Sequence, residues 1–314
     1  MSQQREALAI RAPAKINLYL EVLGQRPDGY HELRSVVVPI SICDELILER
    51  AAGGGIELTV EDAGAANGRA LAGERALDNL AVRAARILQA AAGCPHGARL
   101  RLIKRIPVGG ALGGGSADAA AALVGLNRLW GTGLDRPALM RLGARVGCDV
   151  PALAHGGAVC MEGAGDRITP LPARAGAAWW VVVANPGFGV STKDIYARYR
   201  GGLTAGEKTY KEMCFALETG DLDRAARSLF NSLQATVCRK YPLIALLAEG
   251  LRKAGAAGAL VSGSGASVFG LAAGEEAARQ IVERLPSLLG FPAWIQAAKV
   301  LPDGVMVAHG PLEA

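Results

Sequence analysis

The 314-residue chain is poor in aromatic residues, at 5%, and has no long hydrophobic run. Its longest wholly apolar stretches, such as residues 177–184, fall far short of the roughly 20 residues that cross a bilayer. Its opening residues also lack the apolar core of a secretory signal. Because 51% of the residues are nevertheless hydrophobic, the chain can bury a substantial core. We expect a globular protein of the cytoplasm with no membrane partner.

Disulfide, metal and nucleic-acid patterns are missing as well. The six cysteines are scattered without a C-x-x-C pair, and no histidine stands near them at metal-ligand spacing. The net charge of +5 is dispersed, since no basic run exceeds Arg-Lys and no aromatic residues are interleaved with it. The sequence therefore favours reduced thiols and a solvated basic surface. Such a surface can also attract a polyanionic small substrate.

Several nucleotide and hydrolase signatures are absent. The chain contains no G-x-x-x-x-G-K-[ST], no G-x-G-x-x-G, no H-R-D with D-F-G, and no G-x-S-x-G. P-loop enzymes, Rossmann dehydrogenases and protein kinases are therefore disfavoured, as are hydrolases with a nucleophile elbow.

What the chain does contain is a glycine-rich turn at residues 104–118, Lys-Arg-Ile-Pro-Val-Gly-Gly-Ala-Leu-Gly-Gly-Gly-Ser-Ala-Asp. A strand is predicted before it, at 98–105, and a buried helix after it, at 117–130, with Ser116 as N-cap. Backbone N–H groups can converge in such a loop, and the helix start adds free donors and a positive dipole end. A flexible surface loop is the alternative. The flanking strand and helix favour phosphate binding instead.

The predicted elements suggest two domains. Strands followed by helices occur in each half of the chain, which indicates an α+β architecture rather than an alternating parallel sheet. The boundary is predicted near residue 160, giving an ATP-binding domain at residues 1–160 and a substrate-side domain at 161–314.

Three motifs in order along the chain resemble those of the GHMP kinases, a superfamily of galactokinase, homoserine kinase and mevalonate kinase. They are residues 11–18 (Arg-Ala-Pro-Ala-Lys-Ile-Asn-Leu), residues 107–117, close to P-x-x-x-G-L-G-S-S-x-A, and residues 261–269 (Val-Ser-Gly-Ser-Gly-Ala-Ser-Val-Phe). The resemblance implies a ribosomal-protein-S5-like amino-terminal domain and a ferredoxin-like carboxyl-terminal domain. It also implies ATP and Mg²⁺ as cofactors. Ala111 and Ala117 depart from the pattern by replacing a glycine and a serine.

The resemblance also implies the nucleotide site. Residues expected to bind ATP are Lys104, Pro107, Val108, Gly109, Gly110, Ala111, Leu112, Gly113, Gly114, Gly115, Ser116, Ala117 and, near the adenine, Asn79. Two of these keep an alternative. Lys104 could be an ordinary edge-strand lysine, and Ser116 could be a simple cap or could bring its hydroxyl to the β-phosphate or magnesium. No acidic magnesium ligand is assigned.

Two charged residues are candidates for the chemistry. By the resemblance, Asp149 accepts the proton of the substrate hydroxyl and Lys15 lies beside it. Phosphoryl transfer needs such a positioned acceptor and positive charge near the developing anion. From local pattern alone, Asp149 before Val150-Pro151 reads more simply as an N-cap. Lys15 on an alternating strand reads as a solvated lysine.

Residues 24–33, Gly-Gln-Arg-Pro-Asp-Gly-Tyr-His-Glu-Leu, resemble one branch of the superfamily, which phosphorylates a cytidine-diphosphate-linked methylerythritol in isoprenoid synthesis. In that branch Tyr30 would stack on the cytosine and His31 would hydrogen-bond it, with Asn17 near the substrate. Stacking on an aromatic face contributes about 1–3 kcal/mol per base. The alternative is a turn with an aromatic plug.

The predicted partner is thus a small cytidine-diphosphate-linked molecule, with no nucleic acid, and the protein is expected to be a monomer or weak homodimer. Three alternatives are open: a homoserine- or mevalonate-type kinase, an RNA-binding protein that uses the ribosomal-protein-like domain, and a nucleotide-binding regulator without catalysis. The Tyr30-His31 segment argues against the first, because those substrates have no base to stack. Retention of both Lys15 and Asp149 argues against the last.

Overall fold

The structure, a computed structural model, describes residues 7–65, 78–172, 178–201, 204–301, 304 and 306–308. The described chain forms two β-sheets with helices packed on both. The strands are β1 (Ala7–Gln25), β2 (His31–Ala51), β3 (Ile56–Asp62), β4 (Gly97–Lys104), β5 (Val159–Gly163), β6 (Arg167–Pro170), β7 (Trp180–Asn185), β8 (Phe230–Asn231), β9 (Ala259–Val261), β10 (Val268–Ala272), β11 (Trp294–Lys299) and β12 (Met306–Ala308). The helices are α1 (Leu80–Ala91), α2 (Gly114–Trp130), α3 (Arg136–Ala144), α4 (Val150–His155), α5 (Thr192–Arg198), α6 (Gly206–Thr219), α7 (Leu222–Ser228), α8 (Gln234–Lys240), α9 (Pro242–Lys253) and α10 (Glu275–Leu288).

The first sheet is built on the long antiparallel pair β1 and β2, in the order β12-β1-β2-β4-β3. β2 changes partner along its length, because residues 45–51 pair with β4 and residues 33–37 pair with β5. The sequence predicts two separate strands at 34–42 and 44–49. They are one strand, which stays extended through residue 43.

The second sheet has the order β11-β7-β10-β9 and is antiparallel throughout. β5, which spans the predicted domain boundary at residue 160, pairs with β2 of the first sheet. The boundary itself stays a prediction. The α+β architecture with two sheets is confirmed.

Three buried clusters hold these layers together. The first lies between the first sheet and α1 and α2, where Ile10 and Leu48 contact the alanine-rich face of α2. The second joins the two sheets through side chains such as Ile16, Val38 and Phe269. The third packs α9 and α10 on the second sheet. None of the helices that the described residues form is long and apolar enough to cross a membrane.

Candidate active site

A cavity of about 1080 Å³ lies where the two sheets meet. Its wall comes from β1, the turn between β1 and β2, the glycine loop, the start of α4, helix α5 and the turn after β9. The predicted site residues that line it are Lys15, Asn17, Tyr30, His31, Ala111, Ser116 and Asp149. The fold therefore brings together residues from motifs that are far apart in the sequence.

The carbonyl oxygens of the glycine loop already accept hydrogen bonds from other parts of the protein. The consecutive carbonyls of residues 109–113 all accept hydrogen bonds, at 2.8–3.2 Å. The donors are the backbone N–H groups of Lys15, Ala117, Val190 and Ser267 and the hydroxyl of Ser262. The first N–H groups of a helix have no acceptor within it. At the start of α2 these free N–H donors lie beside loop carbonyls that already accept hydrogen bonds from other groups. The site therefore offers unpaired donors without unpaired acceptors, which favours binding of an anion.

Backbone conformation in the loop requires glycine at two positions. Gly109 has φ 69° and Gly113 has φ 71°. A Cβ on Gly109 would lie 2.9 Å from the Cα of Gly189, and one on Gly113 would lie 2.9 Å from Cγ of Lys15. Ala111 adopts φ 56°, the same left-handed conformation, although it carries a side chain. Its replacement of a glycine therefore leaves the path of the loop intact.

Ser116 is not the cap of the helix. α2 begins at Gly114, and Gly113 occupies the N-cap position without a side-chain hydrogen bond. The prediction of Ser116 as N-cap was wrong, because the left-handed Gly113 already turns the chain into the helix three residues earlier. Ser116 lies in the first turn and lines the cavity. Its hydroxyl is therefore placed where an anion at the helix start would be.

Lys15 and Asp149 face each other in the cavity. Lys15 Nζ lies 3.5 Å from Asp149 Oδ2, with the lysine side chain 6% exposed and the aspartate 34% exposed. Asp149 occupies the N-cap position of α4, but its side chain makes no capping hydrogen bond. The carboxylate is thus turned toward the ammonium instead of its own helix. Lys15 Nζ also donates to Asn17 Oδ1 at 2.9 Å.

The aromatic end of the cavity contains more rings than the sequence predicts. Tyr30 is 62% exposed at the turn between β1 and β2. The ring of His31 lies 4.9 Å from that of Tyr196 and 6.3 Å from that of Tyr199. Both tyrosines come from α5 or its C-cap, in a segment read from sequence only as part of a run of helices. They were missed because neither stands in a recognisable motif.

Five other residues on the cavity wall were not predicted as site residues, although Ser264 stands in the third glycine motif. They are Cys148, Thr192, Lys193, Arg200 and Ser264. Thr192 and Ser264 share a hydrogen bond of 2.8 Å, which ties α5 to the third glycine motif. Burial raises the pKa of the Cys148 thiol, so it is a poor candidate for a nucleophile.

Lys104 lies beneath the glycine loop in a buried charge cluster. Its Nζ donates to Asp118 Oδ2 at 2.6 Å and to Asp44, and Asp44 Oδ1 accepts the N–H groups of Arg105 and Ile106. The alternative of an edge-strand lysine is wrong, because β4 lies between β2 and β3. Burial lowers the pKa of Lys104, but Asp118 and Asp44 outweigh it and raise the value to about 12. Burial raises the pKa of Asp118 to about 8.

Asn79 lies at the start of α1. Asn79 is buried and caps α1, its Oδ1 accepting the N–H of Ala81 at 2.9 Å. Its place near the adenine stays a prediction.

Among the described residues no group of three or more His, Cys, Asp or Glu side chains could hold a metal by itself. Magnesium commonly takes only one or two protein oxygens plus substrate phosphates, and Ser116 and Asp149 offer such oxygens at the cavity.

The chain is similar in sequence to known proteins along most of its length. Two family models match, the GHMP kinases N terminal domain at residues 79–157 and the GHMP kinases C terminal domain at residues 216–289. A 4-diphosphocytidyl-2-C-methyl-D-erythritol kinase of Pelotomaculum thermopropionicum is 44% identical over 276 residues, 87% of this chain and 92% of the relative.

Solved structures show the same fold. A crystal structure of 4-(cytidine 5'-diphospho)-2C-methyl-D-erythritol kinase superposes with a TM-score of 0.74 at 33% identity, covering 93% of this chain and 99% of the other. A homoserine kinase from Cytophaga hutchinsonii superposes with a TM-score of 0.78 at 20% identity, covering 98% and 99%. The second likeness concerns the fold alone.

Proposed function

The chain belongs to the 4-diphosphocytidyl-2-C-methyl-D-erythritol kinases of the GHMP family, and on that premise we propose how its residues carry out the reaction. The enzyme transfers the γ-phosphoryl group of ATP to a hydroxyl of a cytidine-diphosphate-linked methylerythritol, at the 2-position, in isoprenoid precursor synthesis. A homoserine- or mevalonate-type activity has less support, because identity to the homoserine kinase is 20% against 44% for the cytidyl kinase relative. The RNA-binding alternative also has less support, because the similar proteins include cytidyl kinases that are matched over most of this chain.

The contact between Lys15 and Asp149 carries the proposal. The oxygen of the substrate hydroxyl attacks the γ-phosphorus of ATP while Asp149 accepts the proton of that hydroxyl. At the same time the bond between the γ-phosphorus and the bridging oxygen breaks, and ADP leaves with that oxygen. Lys15 Nζ, 3.5 Å from the carboxylate, holds Asp149 in place and offsets the negative charge that develops on the transferred group. General-base assistance of this kind contributes about 10² to 10⁴ in rate.

The remaining residues bind the two substrates. The N–H groups of residues 109–115 bind the ATP phosphates, and Pro107, Val108 and Ala117 hold the ends of that loop. Lys104 supports the loop from beneath through its hydrogen bonds to Asp44 and Asp118. Asn79 lies at the part of the site that binds the adenine of ATP. Tyr30 and His31 bind the cytosine, with Tyr196 behind His31.

Magnesium is part of the proposal. When bound, it neutralises charge on the β- and γ-phosphates, and the hydroxyl of Ser116 would help to hold it. A monomeric or weakly dimeric state, the cytoplasmic location and the domain boundary at residue 160 stay predictions. Size-exclusion chromatography with light scattering tests the first.

Phosphorus NMR of the purified protein with ATP, magnesium and the cytidyl substrate tests the reaction. A new phosphomonoester signal should appear together with ADP. Asp149→Asn should lower kcat by roughly 10² to 10⁴ while ATP binding stays nearly unchanged. Near-normal turnover by this variant would remove Asp149 from the mechanism.

A further inference from the structure

A chain of hydrogen bonds runs behind Lys15, away from the reacting atoms. Lys15 Nζ donates to Asn17 Oδ1 at 2.9 Å, Asn17 Nδ2 donates to Ser35 Oγ at 2.8 Å, and Ser35 Oγ donates to the carbonyl of Tyr19 at 2.7 Å. The chain crosses from β1 to β2. The three residues whose side chains form it are buried, with Lys15 5%, Asn17 6% and Ser35 1% exposed as whole residues.

The direction of every bond in this chain is fixed by its two ends. An ammonium can only donate, and a peptide carbonyl can only accept. The single hydroxyl proton of Ser35 is committed to Tyr19, so Ser35 presents only lone pairs to Asn17. The amide nitrogen of Asn17 must then face Ser35, and its oxygen must face Lys15. The orientation of the Asn17 amide is therefore set by Ser35.

We infer that Ser35 is a positioning residue for phosphoryl transfer, which holds the Lys15 ammonium in place through the Asn17 amide. This inference rests on the proposed function, because it matters only if Lys15 acts with Asp149 on the substrate. A lysine side chain has several rotatable bonds and loses considerable freedom when its end is fixed. The oxygen of Asn17 and the carboxylate of Asp149 fix that end from two directions.

Loss of the Ser35 hydroxyl should loosen this arrangement. In Ser35→Ala the Asn17 amide loses the acceptor for its nitrogen, and it can rotate to present that nitrogen to the ammonium, where donor would meet donor. Lys15 would then shift relative to Asp149. Because misplacement of a catalytic group by about 1 Å costs on the order of 10²-fold in rate, we expect kcat to fall by roughly 10-fold to 100-fold, with KM for ATP unchanged.

Two further variants separate positioning from a general loss of stability. Ser35→Thr keeps the hydroxyl and should restore most of kcat. Ser232→Ala is the matched control, since Ser232 is 8% exposed and its hydroxyl accepts the N–H of Val22 at 3.1 Å without joining the chain behind Lys15. It should lower the melting temperature without lowering kcat. If Ser35→Ala does not fold, Ser35→Cys keeps the size with weaker hydrogen bonds and should show the same selective loss of kcat.

A double-mutant cycle tests whether Ser35 acts through Asn17. If it does, Ser35→Ala should have little further effect on kcat in the Asn17→Ala background. An equal loss in both backgrounds would overturn the inference, as would wild-type kcat in Ser35→Ala or equal losses in Ser35→Ala and Ser232→Ala. Ser35 lines the cavity, so a rise in KM for the cytidyl substrate at unchanged kcat would indicate direct contact instead and would also overturn it. Failure of the proposed function is separate, because it would appear as normal turnover in Asp149→Asn.

Discussion

Replacement of Gly113 with alanine should slow phosphoryl transfer far more than it destabilises the fold. Gly113 is the N-cap of α2, with φ 71° and ψ 18°. A Cβ there would lie 2.9 Å from Cγ and 3.2 Å from Cε of Lys15. Carbon atoms in contact normally stand about 3.5–4.0 Å apart, so the lysine stem must move by roughly 0.5–1 Å. A displacement of this size costs on the order of 10²-fold in rate, and we expect kcat to fall accordingly.

Gly131 provides a matched control at the other end of the same helix. It is the C-cap of α2 with φ 66° and ψ 34°, and an added Cβ would meet nothing within 4 Å. A left-handed conformation costs an L-residue roughly 1–2 kcal/mol, and both substitutions carry this cost. One kcal/mol lowers Tm by about 2–4 °C in a domain of 150–250 residues. Gly113→Ala and Gly131→Ala should therefore melt similarly, and only the first should lose activity.

Thermal unfolding and steady-state kinetics with ATP and the cytidyl substrate measure the two effects separately. The reasoning predicts a large difference in kcat between variants of comparable stability. If Gly113→Ala retained kcat within about twofold of Gly131→Ala, Lys15 would not be displaced or its position would not matter. If Gly131→Ala lost as much activity, the effect would belong to the helix as a whole.

Three further predictions concern the aromatic end of the cavity and the buried charge cluster. His31→Ala should raise KM for the cytidyl substrate and leave ATP affinity little changed, as measured by steady-state kinetics and calorimetry; equal losses for both substrates would contradict its assigned role. Lys104→Met should destabilise the protein by about 3–5 kcal/mol, because it leaves the Asp44 carboxylate buried without its cation, whereas Asp118→Asn should cost little at pH 7, where Asp118 already holds a proton. Because the pKa of Asp118 is raised from 3.8 to about 8 in the fold, the folded state keeps a proton that the unfolded chain has lost, so stability should fall as pH rises from about 4 to 8. Chemical denaturation across that range should show the slope in the parent protein and not in Asp118→Asn.

The residues that the sequence predicted well stand in short local signatures. The glycine run, its flanking strand and the helix behind it depend on interactions between neighbouring residues, and these are visible as local pattern. Lys15 was identified through the first motif and Asp149 through the family resemblance, although local pattern alone read Asp149 as a cap. Their contact at 3.5 Å results from packing of α4 against α2 and of α2 against the first sheet, which local pattern does not encode. Their catalytic roles stay predictions.

The sequence did not reveal features that depend on distant elements meeting. Tyr196 contacts His31 only because α5, which comes after β7 in the sequence, lies beside the turn between β1 and β2 in the fold. Ser35 looks like an ordinary strand serine, and its bond to Asn17 depends on the register between β1 and β2. Ser116 was misread as a cap because serine is a common N-cap residue. A glycine that adopts positive φ can start a helix without any side-chain signal.

The cluster of Asp44, Lys104 and Asp118 explains why the loop above it can be ready for ATP before ATP binds. Asp44 fixes the N–H groups of Arg105 and Ile106, the last residues before the loop, and Lys104 links that carboxylate to Asp118 in α2. Both ends of the phosphate loop are thus tied to one buried ammonium. Anion binding by backbone amides is strongest when they need no rearrangement. Lys104, which is predicted to contact the nucleotide, is thus also the residue that ties the two ends of the loop together.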